Sequence, residues 1–188
     1  MLVEIPFLYL RHGETDWNVL RRMQGTTDVP LNATGIAQAA AARERLRGEA
    51  IATIVSSPLR RAYDTARIVN EAHGRDIVVL DDLRECGFGP REGGTAGPWY
   101  RDWLAGVTPD GVEPYDRFID RALAAINAAL ALPGPVLIVA HGGVYWAIQQ
   151  HGRLDRDVKL PNAVPVHHEP PDAAFPGWRA RFLDGAPD

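Results

Sequence analysis

Two short apolar runs most constrain what this chain can fold into. Phe7–Leu10 (FLYL) stops dead at Arg11-His12-Gly13, and Val136–Ala140 (VLIVA) stops at His141-Gly142-Gly143. Each run has the length of a strand, and neither alternates with polar residues. Strands of that kind need cover on both faces. Further strand-length runs occur at Ile51–Val55 and at Ile77–Leu80, the latter suited to an edge; the first run extends back to Ile5. Segments of helical character separate them. Thr34–Arg47 is alanine-rich with apolar residues at helical spacing, and Gly48 follows as a stop. Pro58–Ala72 reads as a helix with Ser57 as its N-cap and Pro58 in its first turn. Tyr115–Leu132 is a long amphipathic helix ended by Pro133-Gly134, and Val144–Gln150 starts another. Val164–His168 and Trp178–Leu183 are short β candidates flanking a proline-rich turn. The alternation predicts an α/β protein, a three-layer α/β/α sandwich with a mainly parallel central sheet.

Composition sets the scale. With 188 residues and 46% hydrophobic content the chain suits one domain over residues 1–188. A net charge of -4 without a basic run argues against a nucleic-acid partner. No apolar stretch approaches the roughly 20 residues that span a bilayer. The N-terminus lacks the basic start of a signal peptide. The one cysteine, Cys86, cannot form an internal disulfide, which suits a cytoplasmic protein, and beside Gly87 it reads as inert rather than nucleophilic. No residue pattern sets an oligomeric state.

In open parallel sheets, ligands bind beyond the carboxyl ends of the strands. The residues just after each predicted strand are therefore the ones to inspect. They are Arg11-His12-Gly13, then Ser57-Pro58-Leu59-Arg60-Arg61 at a helix start, then Asp81 to Glu85, then His141-Gly142-Gly143. Each has an ordinary explanation alone: a packed histidine, a good cap, a solvated loop acid. Together they are hard to obtain by accident. Guanidinium groups and helix N-terminal amides both favour a phosphate dianion. A neutral imidazole is a capable nucleophile, and a carboxylic acid can protonate a departing oxygen. Glycine after each histidine would let backbone approach a ligand. A metal site is the competing reading of His, His and Glu. The absence of an H-E-x-x-H motif and the repulsion of a cation by two arginines weigh against it.

The motifs LRHGETDWN, QGTTDVPLNATGIAQA, SSPLRRAYDTA, LRECGFGPREG and VAHGG resemble, in order, the signature segments of the histidine phosphatase superfamily, which includes the phosphoglycerate mutases. The resemblance implies a phosphoglycerate mutase-like fold and no cofactor or metal. It implies His12 as the nucleophile, Arg11 and Arg61 as phosphoryl ligands, Glu85 as proton donor and His141 completing the phosphate pocket with the Gly142 amide. Asn18 would be a secondary phosphate ligand, and Gln24 and Gly25 would touch substrate. Arg60 falls at a variable position and is expected on the surface. The proton-bearing nitrogen of His12 needs an acceptor, for which a backbone carbonyl is expected.

The family's mutases carry a Trp-Arg-Arg run in a longer insertion after the glutamate motif. Here Trp103 is followed by Leu104-Ala105, and Gly93–Asp116, a short lid-like insertion, holds one basic residue, Arg101. Gly25 is followed by Thr26-Thr27 where the mutases have Trp-Tyr. The expected reaction is therefore hydrolysis of a small phosphate ester, in the branch that includes the ribazole phosphatases. A mutase with a reduced lid and a non-catalytic phosphate-binding module are the alternatives. Trp99, Tyr100 and Trp103 suit either a lid or ordinary packing. His73, His151, His167 and His168 match no motif and read as surface or structural, with His167-His168-Glu169 a site for adventitious metal at most.

Overall fold

The computed structural model describes residues 1–154 and 160–183. Strands β1 (Phe7–Arg11), β2 (Thr53–Ser56), β3 (Ile77–Val79), β4 (Val136–Ala140), β5 (Pro165–Glu169) and β6 (Arg179–Phe182) form one sheet in the order β3-β2-β4-β1-β5-β6. β3, β2, β4 and β1 are mutually parallel, whereas β5 and β6 add antiparallel pairings at one side. β3 is an edge, as its short exposed run suggests. The sheet is covered on both faces by helices, giving the expected three-layer sandwich.

The period of two within each strand divides the core. On one face Phe7, Tyr9, Val136, Ile138 and Ala140 pack with α5 (Tyr115–Leu130) and α6 (Gly142–Gly152). On the other, Leu8, Leu10, Ile54, Leu137 and Val139 pack with Ala42 and Leu46 of α2 (Ala33–Leu46) and Ala66 and Val69 of α3 (Arg60–Asn70). Small alanines let α2 and α3 lie close to the sheet, so the alanine-rich helix is a packing device.

Register places the site. β1 pairs with β4 so that Arg11 lies beside Ala140, and the His12 N–H donates to the Ala140 carbonyl at 3.0 Å, one residue past the strand. Both histidines thus leave the sheet at the same edge. The Ser57 N–H likewise donates to Val139 O at 3.0 Å.

Two helix starts differ from the sequence expectation. α2 begins at Ala33, with Asn32 as its cap; the Asn32 side chain accepts from Gly35 N at 2.8 Å. α3 begins at Arg60 with Leu59 at the N-cap, so Ser57 is not the cap and Pro58 lies outside the helix. A distant carboxylate replaces the local cap: Asp28 Oδ1 accepts from Arg60 N at 2.7 Å. That frees the Ser57 hydroxyl for His141.

Fully buried Ile138 in the central strand should be among the most sensitive core positions. Ile138→Ala is expected to cost about 2–5 kcal/mol in urea denaturation. Ile36→Ala, at a position 52% exposed, should stay within about 0.5 kcal/mol of wild type.

Candidate active site

A cleft of about 360 Å³ opens at the carboxyl edge of the parallel strands. Arg11, His12, Arg61 and Glu85 line it, and so do Asn18, Gln24, Gly25 and Gly142. His141 sits behind this lining, fully buried, with its ring centroid 5.3 Å from that of His12. The structure therefore brings all nine sequence-predicted site residues into one place, eight in the cleft wall and His141 beneath it.

His12 is fixed by its own loop. Its Nδ1 lies 2.7 Å from the Gly13 carbonyl, so an Nδ1–H donor there leaves Nε2 bare. The expected backbone acceptor is thus Gly13 itself. The His12 carbonyl accepts from Asn162 Nδ2 at 2.9 Å, and Gly13 N donates to Thr65 Oγ1 at 3.0 Å. Gly13 does not serve ligand approach as expected. A Cβ there would overlap the Gly35 carbonyl, and one on Gly35 would overlap Glu14 O. The two glycines let the loop after β1 and the first turn of α2 touch backbone to backbone.

The arginines are held differently. Arg61, fully buried, donates from its two terminal nitrogens to Gly25 O at 2.7 Å and Thr27 O at 2.9 Å. Arg11 donates to Leu160 O at 2.9 Å. The Nε of each arginine is buried without a partner, and so is His141 Nδ1. Leaving a buried donor unsatisfied costs about 1–3 kcal/mol, more when it is charged. Three such nitrogens lie in or beneath the wall of one cleft, and two of them belong to cations. Burial pushes Arg61 down to about 10, opposed by Glu85, Asp28 and Glu92, so it remains a cation at neutral pH. Burial also depresses Arg11.

Both histidines are held neutral. Burial first, then the Arg61 charge, pushes His12 and His141 well below the usual imidazole value. His141 Nε2 lies 2.8 Å from Ser57 Oγ, and that hydroxyl oxygen accepts from Leu59 N at 3.3 Å. The Tyr9 hydroxyl donates to His141 O at 2.7 Å, anchoring that loop to the core.

Glu85 closes the other side. Its two oxygens accept from Cys86 N and from Gly143 N, both at 3.0 Å, so the carboxylate meets the first turn of α6. A Cβ on Gly143 would overlap Glu85 Oε1, which explains the second glycine of His-Gly-Gly. Asn18 belongs to a capping box at α1 (Asp16–Val19), accepting from Thr15 N at 3.1 Å. Gln24 Oε1 accepts from Thr15 Oγ1 at 3.0 Å.

Several residues of the cleft carried no sequence assignment. Met23, Phe88, Tyr145 and Trp146 join Tyr100 in an apolar wall, and Arg22 and Gln149 reach its lining. The three aromatics of α4 (Pro98–Leu104) divide their roles. Trp103 is a core residue, fully buried, with Nε1–H donating to Glu113 O at 2.8 Å. Trp99 is half-buried beneath the Arg91 guanidinium, 5.4 Å from its ring, and only Tyr100 lines the cleft. Arg60 is exposed, as expected. His168 is buried, stacked on Phe7 at 4.6 Å and bonded to Tyr145. His167 alternates with it along β5 and faces the other side, so the pair does not form a joint site. Cys86 is buried, and burial pushes its thiol up, away from thiolate.

The chain belongs to the histidine phosphatase superfamily, branch 1, matching it over residues 7–168. It is 40% identical over 142 residues to the uncharacterized phosphatase PhoE of Bacillus subtilis, covering 74% of this chain and 72% of PhoE. It is also 40% identical over 145 residues to the probable phosphoglycerate mutase GpmB of Proteus mirabilis, covering 71% and 67%. Among solved structures it resembles a mycobacterial glucosyl-3-phosphoglycerate phosphatase complexed with VO3, with a TM-score of 0.78 and 33% identity over 94% of this chain and 96% of that one. Membership makes the chain an enzyme that acts as a phosphatase, and its fold phosphoglycerate mutase-like.

The buried imidazoles give a direct check. In phosphate-free protein at pH 6.5, ¹⁵N imidazole shifts should report mostly neutral His12 and His141, because both titrate below the ordinary value of about 6.5. Arg61→Met removes one opposing cation and should move the His12 titration upward. Two rings protonated at pH 6.5 would contradict the arrangement.

Proposed function

We propose that this enzyme hydrolyses a small phosphate monoester through a phosphohistidine on His12. The observation that carries the reading is the ring of partnerless buried donors, Arg11 Nε, Arg61 Nε and His141 Nδ1, around a neutral imidazole with a free Nε2. Arg11 and Arg61 hold the phosphoryl oxygens. The Ser57 hydroxyl donates to His141 Nε2, which leaves the Nδ1–H of His141 for the same group. The Gly142 amide, at the start of α6, adds the helix N-terminus. Asn18, Gln24 and Gly25 border substrate.

The chemistry balances in two steps. His12 Nε2 attacks phosphorus, the P–N bond forms, the P–O bond breaks, and Glu85 gives its proton to the leaving alkoxide. Water then attacks phosphohistidine, its proton passes to the Glu85 carboxylate, and the P–N bond returns its electron pair to His12. Negative charge grows on the equatorial oxygens in both steps, so the fixed cations act on both. Removal of one such donor typically costs on the order of 3 kcal/mol of barrier.

Water is favoured over a sugar acid as acceptor. Among the described residues, Arg22 is the one cation in the cleft lining besides Arg11 and Arg61, and much of the remaining wall is apolar and aromatic. Such a wall suits an ester with an apolar body better than a second phosphate. The insertion near 93–116 contributes Tyr100 to that wall and is read as a partial lid. We place the whole chain in a single domain and the protein in the cytoplasm, in keeping with one buried free cysteine. Among the described residues no helix is long and apolar enough to cross a membrane.

His12→Ala should abolish turnover of p-nitrophenyl phosphate with the fold intact; wild-type turnover would remove His12 from the reaction. Activity should survive chelator treatment, since the protein's own cations neutralise the phosphate. Loss restored by a metal would overturn that. Phosphoglycerate interconversion should be negligible beside hydrolysis, and fast isomerisation needing a bisphosphate primer would reverse the choice of acceptor.

Glu85→Gln keeps the shape and removes the acid. General acids contribute about 10² to 10⁴ in rate, and more for a poor leaving group. Single-turnover transfer should therefore collapse for an alkyl phosphate and fall much less for a nitrophenyl phosphate. Equal, small losses on both esters would return Glu85 to a structural role.

A further inference from the structure

We propose that Glu92 is a positioning residue, acting through the 25–27 loop to aim the Arg61 guanidinium at the phosphoryl group. The inference rests on the function proposed for Arg61 above and adds a residue outside the cleft lining.

The geometry is a relay of three parts. Glu92 Oε1 accepts from Thr26 N at 2.9 Å, Thr26 Oγ1 at 3.1 Å and Phe88 N at 3.1 Å. Glu92 Oε2 accepts from Thr27 N at 2.9 Å and from the Thr27 hydroxyl. One carboxylate thus gathers both hydroxyls and both amides of a two-residue turn. The loop then presents its carbonyls inward: Gly25 O and Thr27 O take the two terminal nitrogens of Arg61 at 2.7 and 2.9 Å. With both ends of the fork tied, the guanidinium plane is held, and the Nε of this cleft-lining side chain stays buried without a partner.

Two further features show that the loop is shaped around this carboxylate. Gly25 has φ +52°, a left-handed value that favours glycine, and a Cβ there would overlap Glu92 Oε1. The Glu92 side chain is also charge-coupled to Arg61, which it favours as a cation. Burial opposes ionisation of Glu92, but the Thr27 and Thr26 donors outweigh it and hold the carboxyl below its usual value. An ionised carboxylate is the one side chain able to accept so many donors at once.

Glu92 does not touch the reacting atoms, so its loss has to be read through Arg61. Glu92→Gln puts two N–H groups where the loop offers donors, and kcat/KM for p-nitrophenyl phosphate should fall about 10- to 100-fold, the cost typical of a disrupted supporting shell. The decisive experiment is a double-mutant cycle, run at high enzyme concentration so that low rates stay readable. In an Arg61→Met background, Glu92→Gln should change kcat/KM by no more than about twofold, because its effect has already been lost. Losses that multiply across the cycle would show Glu92 acting on the fold or on another residue and would overturn the proposal, as would full activity of Glu92→Gln alone. Thr27→Val, which deletes one hydroxyl of the relay and keeps the carboxylate, repeats the cycle more gently; should Glu92→Gln fail to fold by circular dichroism, Thr27→Val decides by the same criterion. Full activity of Arg61→Met would instead refute the role given to Arg61, a distinct outcome from failure of the relay.

Discussion

The most expensive feature of this structure is the burial of Arg61. A guanidinium taken from water loses solvation worth several kcal/mol, and only well-made local partners can return it. Here the direct hydrogen bonds come from two backbone carbonyls of one loop, and Glu85, Asp28 and Glu92 favour the charge without a direct bond to it. Neutral direct acceptors leave the guanidinium charge available to an anion. A salt bridge to Arg61 would have stabilised the empty protein and blunted its attraction for an anion. The molecule instead keeps a buried cation beside a cleft, held by a 25–27 loop whose Thr26 and Thr27 amides donate to Glu92.

The same economy governs the histidines. A protonated His12 would bind phosphate well and attack it poorly. Burial and the neighbouring cations disfavour the second proton, so the attraction for the anion is left to arginine and the nucleophile stays neutral. The parallel pairing of β1 with β4 makes this possible without long loops. Two adjacent strands end in register, one rigid backbone carries both imidazoles, and their separation is set by the sheet.

Much of this was legible in the sequence because the governing signals are local. Apolar runs of strand length between helix-length segments specify a doubly covered parallel sheet, and residues after such strands meet at one edge whatever the helices do. Arg11, His12, Glu85 and His141 were found by that rule. What was not legible depends on partners far apart in the chain. Ser57 looks like a helix cap, and only the three-dimensional structure shows Asp28 capping Arg60 and releasing the hydroxyl to His141. Gly13 looks like a ligand-approach glycine, whereas its space is taken by Gly35. Trp99, Tyr100 and Trp103 stand close together in sequence, but helical rotation sends them to three environments. Arg22, Tyr145 and Trp146 reach the cleft from segments whose own patterns announce only a turn and a buried helix.

These failures share a cause that bears on function. Ser57 and Gly13 both follow strand ends, and each holds a histidine: Ser57 Oγ meets His141 Nε2, and the Gly13 carbonyl meets His12 Nδ1. Orientation matters because a phosphoryl transfer offers the protein little covalent chemistry beyond the nucleophile; rate comes from cations already in place when charge develops. A guanidinium free to rotate would spend part of its attraction on being ordered. Arg61 has both ends of its fork tied by a loop that a carboxylate gathers, and Arg11 is tied at one end by Leu160 O. The two arginines therefore differ in freedom. The more constrained one, on the proposed reading, sets where phosphorus sits, and the freer Arg11 can follow the equatorial oxygens as they move toward His12.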